Sequence, residues 1–269
     1  MVAEEIEPAG PAGHAPGSTR FDRTTLRREV LLVFALSLGQ SGVYAVVRLL
    51  GILTSGAPVS SATAALNTSR APGRPTLDLV YQLLAIGFAL VPVLLACHFL
   101  TIGGERPGRV LGIDRTRPRW DLGVGVLLAA GVGGTGLALV VAAHALGISA
   151  TIVASELPAI WWRIPVLLLS ALENALLEET LVVGYLLHRL AQLGWRPWPA
   201  LAASAVLRGS YHLYQGVPAF FGNAVMGLLF GRIYQLRGRT APLIIAHFLI
   251  DSVAFIGYVF LAGKVSWLP

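Results

Sequence analysis

The sequence predicts an all-α membrane protein, a polytopic bundle of seven to eight helical spans with its N-terminus in the cytosol. Hydrophobic residues make up 55% of the 269 residues and charged residues only 13%, whereas soluble domains carry about 25% charged residues. Several apolar runs reach the roughly 20 residues that cross a hydrocarbon core. Arginine is concentrated in alternate connecting segments. These observations exclude an ordinary soluble protein.

The first segment is not apolar. It is rich in Pro, Ala, Gly and Glu and lacks the basic start and apolar core of a secretory signal. We therefore predict a disordered tail over residues 1–24 and a transmembrane helical domain over residues 25–269.

Apolar character and length predict the spans, with breaker-rich or charged loops between them. The seven predicted spans are residues 29–50, 79–101, 121–146, 160–190, 197–214, 217–236 and 241–262. The longest loop, 51–77, is polar, and the loop 103–120 is heavily charged. An eighth, short helix would fit in 51–77 or 148–160. Cys97 is the only cysteine, so no intrachain disulfide forms.

The distribution of basic residues predicts the orientation, because cytoplasmic loops retain Lys and Arg. With the N-terminus inside, most of the 20 basic residues lie in the cytosol: Arg20, Arg23, Arg27, Arg28, Arg106, Arg109, Arg115, Arg117, Arg119, Arg189, Arg196, Arg232, Arg237 and Arg239. Only Arg70, Arg74 and Lys264 lie in outside segments. A positive inner rim against anionic lipid accounts for the net charge of +6 without a nucleic acid partner. The preference for arginine over lysine is typical of GC-rich genomes and predicts a bacterial cytoplasmic membrane.

Ionisable residues within spans are costly, so they usually face the bundle interior and have partners. Three spans each carry a polar pair four residues apart, which places both members on one helix face: Asn174 and Glu178, Arg208 and His212, and His247 and Asp251. Glu179 points about 100° away from Glu178. At about 1.5 Å of rise per residue, the pairs reach similar depths and are expected to meet near mid-membrane.

Such a cluster suits peptide hydrolysis. A buried carboxylate becomes a general base for water near neutral pH. Histidines can share the binding of that water or of a metal ion, or donate to a tetrahedral oxyanion. Three other histidines in or beside the predicted spans, His98, His144 and His188, are expected to be structural or interfacial.

The sequence resembles the CPBP family of intramembrane endopeptidases, also known as the CAAX-protease and bacteriocin-processing or Abi family. The resemblance covers residues 160–262 and rests on Glu178-Glu179 with Gly184 and Tyr185, then His212, then His247-x-x-x-Asp251. It implies that Glu178 activates water together with His212, that His247 and Asp251 stabilise the oxyanion, and that Glu179 supports them. Members are named metalloproteases, so zinc held by Glu178, His212 and His247 stays open beside direct action on water. The implied substrate is a membrane-associated peptide or protein.

Two positions depart from the family pattern. Val183 stands where the family usually has Arg, and Arg208 stands where it usually has Phe. Because an unpaired buried arginine is costly, we expect Arg208 to pair with a motif carboxylate and to replace the missing guanidinium.

Two alternatives to a protease remain open at this point. A non-catalytic immunity or scaffold protein of the same family would keep the helices without needing the carboxylate. A proton-coupled transporter would use Glu178, His212 and Asp251 as a relay, although we see no internal repeat of the kind many transporters show.

The fourth, fifth and seventh spans are expected to pack together around this cluster. Small residues permit the close approach of membrane helices, and these spans contain Ala203, Ser204, Gly209, Ala241 and Ala246.

Overall fold

The computed structural model describes residues 20–265 of the chain. The predicted tail lies largely outside the described residues, and the first helix begins at Arg23, inside the last part of that tail.

All seven predicted spans are helical. The helices in chain order are α1 (Arg23–Ala35), α2 (Leu38–Thr54), α3 (Pro75–Ala89), α4 (Val91–Ile102), α5 (Pro107–Val110), α6 (Pro118–Ala145), α7 (Arg163–Glu178), α8 (Leu186–Gln192), α9 (Pro197–Ser210), α10 (Val217–Arg237) and α11 (Ala241–Leu261). A π-helical turn, Glu179–Tyr185, joins α7 to α8.

Four helical segments of the described chain are long and apolar enough to cross a membrane. They are Pro75–Ile102, Pro118–Ala145, Val217–Arg237 and Ala241–Leu261. The first predicted span would make a fifth, but it is broken into α1 and α2, which are inclined at 53°. The fourth and fifth predicted spans are helical yet shorter or more polar, so the full count of seven remains a prediction.

Two short strands add to the helical fold. Strand β1 (Thr63–Asn67) pairs in parallel with β2 (Thr151–Ser155), and Thr63 lies opposite Thr151. They occupy the two segments in which an eighth helix would fit, and there the described chain has instead these strands and one 3₁₀ turn, Val59–Ser61. Threonine, isoleucine and valine favour extended backbone, which accounts for β2. We call this end of the bundle, where α2, α6 and α9 finish, the strand end, and the opposite one the arginine end.

Close contact between helices depends on small residues at a few places. A Cβ atom at Gly209 of α9 would lie 2.7 Å from the Phe220 ring and 2.8 Å from the Phe220 carbonyl oxygen of α10. The Ser204 hydroxyl, fully buried, donates to the Val182 carbonyl oxygen at 2.7 Å and fixes α9 against the π-helical turn. Helix α11 packs mainly on α6 and α7. The π-helical turn and α7 therefore lie between α9 and α11, which brings the motif-bearing helices together.

Arg189 corrects the simple picture of a lipid-facing arginine rim. Its side chain is 0% exposed, and it donates to Glu29 at 2.8 Å and to Glu105 at 2.6 Å. His188 and Gln192 also bond to Glu105, and the Tyr185 hydroxyl donates to Glu29. This Arg189 cluster (Glu29, Glu105, Tyr185, His188, Arg189 and Gln192) ties α1 and the 103–106 loop to α8, because a buried cation needs compensating partners.

Arg239 is the second arginine that the orientation count treated as part of the rim but that lies inside the protein. Its guanidinium donates to Asp121 at 2.7 Å and to Asp114 at 2.8 Å. Hydrogen bonds from Thr116, then the bond from Arg239, lower the pKa of Asp114 from 3.8 to about 2. The ion pairs hold the segment before α11 against both the loop that precedes α6 and the first turn of α6.

Candidate active site

Two adjacent glutamates stand at the junction of α7 and the π-helical turn. Glu178 ends α7 and Glu179 begins the turn, and the two residues are 8% and 0% exposed. A π-helical turn widens the backbone by one residue and often marks a functional site. Here one carboxylate oxygen from each glutamate and one His247 ring nitrogen lie within 4.8 Å of one another.

Arg208 lies at the centre of this group and is fully buried. Its Nη2 atom is 2.7 Å from Glu179 Oε1 and 3.3 Å from Glu178 Oε2. The same nitrogen is 3.3 Å from His247 Nδ1. The expected pairing of Arg208 with a motif carboxylate is thus present, and Glu179 is its main partner. A charge-assisted bond of this length fixes the carboxylate in place.

His247 of α11 connects the second glutamate to an outer carboxylate. Its Nδ1 atom donates to Glu179 Oε1 at 2.8 Å, and its Nε2 atom lies 3.6 Å from Asp251 Oδ2. Asn174 donates to the same Asp251 oxygen at 3.1 Å. These contacts tie α7 to α11 through polar groups that would otherwise be unsatisfied in an apolar bundle.

The prediction that Arg208 and His212 lie on one face of a helix is wrong. Helix α9 ends at Ser210, and His212 lies beyond it in a tight turn in which its N–H donates to the Gly209 carbonyl oxygen at 3.0 Å. The two side chains nevertheless converge on Glu178, because His212 Nε2 lies 3.9 Å from Glu178 Oε2. That distance is too long for a hydrogen bond. His212 Nε2 is buried and has no hydrogen-bond partner among the described residues.

Tyr211 is a site residue that the sequence reasoning missed. Its hydroxyl donates to Glu178 Oε2 at 2.8 Å. Tyr211 also lines a cleft of about 320 Å³ between α2 and the turn after α9, together with Gln40, Ser41, Tyr44, Ala45, Arg48 and Tyr214. The only sequence signal was its position directly before His212. The cleft places an open volume next to the residue that holds Glu178.

Two other histidines of the described chain, His188 and His98, lie elsewhere. His188 belongs to the Arg189 cluster at the arginine end, and His98 stacks at an angle on Phe99 on α4. Neither is among the contacts of Glu178, Glu179 or Arg208 described above.

The described residues offer a set of metal donors that differs from the predicted one. Glu178, Glu179 and His247 are close enough to share one ion, and Glu179 takes the place foreseen for His212. However, the Arg208 guanidinium already lies within 3.3 Å of a donor atom of each of these residues. A divalent ion at that point would have to displace a fully buried cation. The donor set therefore fits poorly with a metal, and no chemical step below depends on one.

Comparison with known families identifies the segment that carries this site. Residues 160–253 match the family described as type II CAAX prenyl endopeptidase Rce1-like. The match spans every site residue from Asn174 to Asp251. No curated protein and no solved structure is significantly similar to the chain.

Proposed function

We propose that the chain, whose residues 160–253 match the Rce1-like type II CAAX prenyl endopeptidase family, is an intramembrane endopeptidase that hydrolyses a peptide bond of a membrane-associated protein or peptide. The observation that carries the proposal is the convergence on Glu178. Tyr211 donates to its carboxylate, and a cleft opens beside Tyr211. His212 Nε2 lies 3.9 Å from the same carboxylate and has no hydrogen-bond partner among residues 20–265.

In the proposed mechanism, water lies beside Glu178 and His212. Glu178 takes one proton as the water oxygen attacks the carbonyl carbon of the substrate. The carbon–nitrogen bond then breaks, and the Glu178 carboxylic acid returns the proton to the departing amine. Tyr211 orients the carboxylate through its hydrogen bond.

His247 is the proposed donor to the oxyanion. Because Nδ1 already donates to Glu179, donation from Nε2 requires the doubly protonated ring. The Asp251 carboxylate, 3.6 Å from Nε2, stabilises that charge. Asp251 is thus assigned to positioning and charging His247, and Asn174 to holding Asp251.

Arg208 and Glu179 form the supporting pair. Val183 is fully buried and apolar, so it cannot supply the guanidinium usual in the family at that position. Arg208 supplies one from α9, and its Nη2 atom donates to Glu179 Oε1 at 2.7 Å. This compensation favours an active enzyme over the non-catalytic scaffold.

The test is hydrolysis by purified protein in lipid nanodiscs. Single-span model peptides with varied flanking tails are incubated in water enriched in ¹⁸O, and the products are analysed by mass spectrometry. We expect one ¹⁸O atom in the new carboxyl group and no cleavage by Glu178→Gln. Glu173→Gln, on the same helix, is the matched control and should retain activity. If vesicles that contain the unmodified protein take up a solute when a proton gradient is applied, and no peptide is cleaved, the result would instead support the transporter.

We also propose that the arginine end faces the cytosol of a bacterial cell and that the strand end faces outward. The loops 103–117 and 193–196 and the segment 237–240 before α11 contribute basic groups to the arginine end: Arg106, Arg109, Arg115, Arg117, Arg196, Arg237 and Arg239. In a Cys97→Ser background, Ser69→Cys should react with an impermeant maleimide on intact cells, and Thr116→Cys should react only after lysis. The reverse labelling would invert the orientation.

A further inference from the structure

The two-stranded sheet has an outer edge beside the cleft. In a parallel pair, alternate residues direct their backbone groups toward the neighbouring strand and away from it. The Thr151 N–H donates to the Ala62 carbonyl oxygen at 2.9 Å, and Thr63 lies opposite Thr151. Thr63 and Ala65 therefore direct their N–H and C=O groups away from β2.

Arg48 connects this outer edge to the cleft. Its guanidinium donates to the Thr63 carbonyl oxygen at 2.8 Å, which confirms the direction of that group. The same guanidinium lies 5.8 Å from the centre of the Tyr214 ring, and both residues line the cleft. At the next outward position, Ala65, no described residue pairs with the backbone groups.

Two residues of the cleft link this edge to Glu178. Arg48 donates to Thr63 at the edge and lines the cleft, and Tyr211 lines the cleft and donates to Glu178. An exposed strand edge binds an extended peptide by main-chain hydrogen bonds, and this mode tolerates varied side chains. A protease needs its substrate extended at the scissile bond, which matches the conformation that such an edge selects.

We propose that the outer edge of β1 binds an extended segment of the substrate as a third strand and leads it into the cleft toward Glu178. The proposal rests on the proposed function and adds the class of substrate: a peptide with an unfolded, unblocked backbone next to its membrane anchor, presented at the strand end. Arg48 occupies the Thr63 carbonyl, so the pairing is expected to centre on Ala65. With the proposed orientation, such a peptide is displayed on the outer face of the membrane.

The first test measures binding without catalysis. A photoreactive benzophenone amino acid replaces Thr63 in the Glu178→Gln protein. The probe is a biotinylated peptide of leucine and alanine, long enough to span a bilayer, followed by a tail of alternating valine and threonine. N-methylation of the tail amides removes their hydrogen bonds to the strand edge, so we expect crosslinking to fall about tenfold or more. Equal crosslinking of the two peptides, or crosslinking to lipid alone, would overturn the proposal.

The second test alters the protein on one edge at a time. Ala65→Pro removes the outward N–H of β1 and leaves the bonds to β2 in place, because those use residues 62, 64 and 66. Ile152→Pro makes the same change at the other edge of the sheet and is the matched control. We expect Ala65→Pro to raise KM for the peptide about tenfold with little change in kcat, and Ile152→Pro to leave KM unaltered. A similar effect of both variants, or of neither, would contradict the third-strand proposal.

The two proposals fail in distinguishable ways. Crosslinking that depends on the tail amides, with no cleavage by the unmodified protein, would reject the protease and keep the binding edge. Cleavage at equal rates of methylated and unmethylated tails would keep the protease and reject the edge.

Discussion

The protein contains two buried clusters of almost the same composition. Each has a fully buried arginine between two glutamates, a histidine and a tyrosine that donates to one of the glutamates. In the Arg189 cluster these groups join α1, a loop and α8 at the arginine end. In the other, which we call the Arg208 cluster (Glu178, Glu179, Arg208, Tyr211 and His247), they lie beside a cleft and beside the unpartnered nitrogen of His212.

The difference lies in what surrounds the charges. Residue types alone do not distinguish a structural ion network from a reactive one, because both need partners when buried. Two features of the Arg208 cluster distinguish it: an open cleft beside Tyr211, and the His212 Nε2 atom, which has no hydrogen-bond partner among the described residues. We therefore expect substitutions in the Arg189 cluster to act through stability, and those in the Arg208 cluster to act through chemistry as well.

The largest contrast is expected between the two tyrosine-bonded glutamates. Glu178→Gln should reduce the rate of peptide hydrolysis by at least about 10²-fold, since a general base typically contributes about 10²–10⁴-fold. Glu29→Gln should leave the rate per folded molecule unchanged and lower thermal stability. Single-turnover cleavage and unfolding followed by tryptophan fluorescence measure the two effects. Equal losses of rate in both variants would erase the distinction between the clusters.

The arginines should differ less. Removing one partner of a buried ion pair costs about 3–5 kcal/mol, so Arg208→Met and Arg189→Met should both unfold at lower temperature. Only Arg208→Met should also inactivate the folded fraction, because Glu179 and His247 lose their common partner. Size-exclusion-purified folded protein, assayed for specific activity, separates the two outcomes. Full specific activity of Arg208→Met would remove the supporting role of Arg208.

A double exchange can sharpen the account of Arg208. Arg208→Phe should be inactive, and adding Val183→Arg should restore part of the activity, because residue 183 lies four residues after Glu179 on the π-helical turn. The measurement is kcat for both variants against the unmodified protein. Val183→Arg alone serves as the control and should be destabilised by a second, uncompensated cation. If the double variant is no more active than Arg208→Phe, position 183 cannot serve Glu179 in this chain.

The smallest effect is expected at the pair formed by buried Arg239 and the more exposed Asp114. The pKa of Asp114 is lowered to about 2 in the folded protein from 3.8. A depressed folded pKa means that the contribution to stability is complete above pH 3.8 and is lost as pH falls toward 2. Asp114→Asn should therefore lower the melting temperature by a constant amount above about pH 5, and this difference from the unmodified protein should shrink as pH falls from about 4 to about 2. An unaltered acid profile would show that the pair is not linked to folding.

The sequence by itself determined the approximate positions of the helices and the ionisable residues that form the candidate site. Apolar runs of about 20 residues require hydrogen-bonded helices, since backbone groups in a bilayer must be satisfied internally. Because ionisable groups are costly to bury in a membrane, Glu178, Arg208 and His247 could be selected as candidate site residues from the sequence alone. The expected pairing of Arg208 followed from the same cost, and the structure contains it.

Tertiary structure decided the details that local periodicity cannot carry. The π-helical turn and the end of α9 before His212 changed the directions of side chains that a regular helix would have placed. Tyr211 and the donor set with Glu179 became visible only when three helices were brought together. Arg189 and Arg239 carry the same charge as the other arginines of the rim, yet they are buried because acidic residues far away in sequence reach them. The two strands pair segments about 90 residues apart, so their edge beside the cleft depends on long-range contacts that single-sequence patterns do not encode.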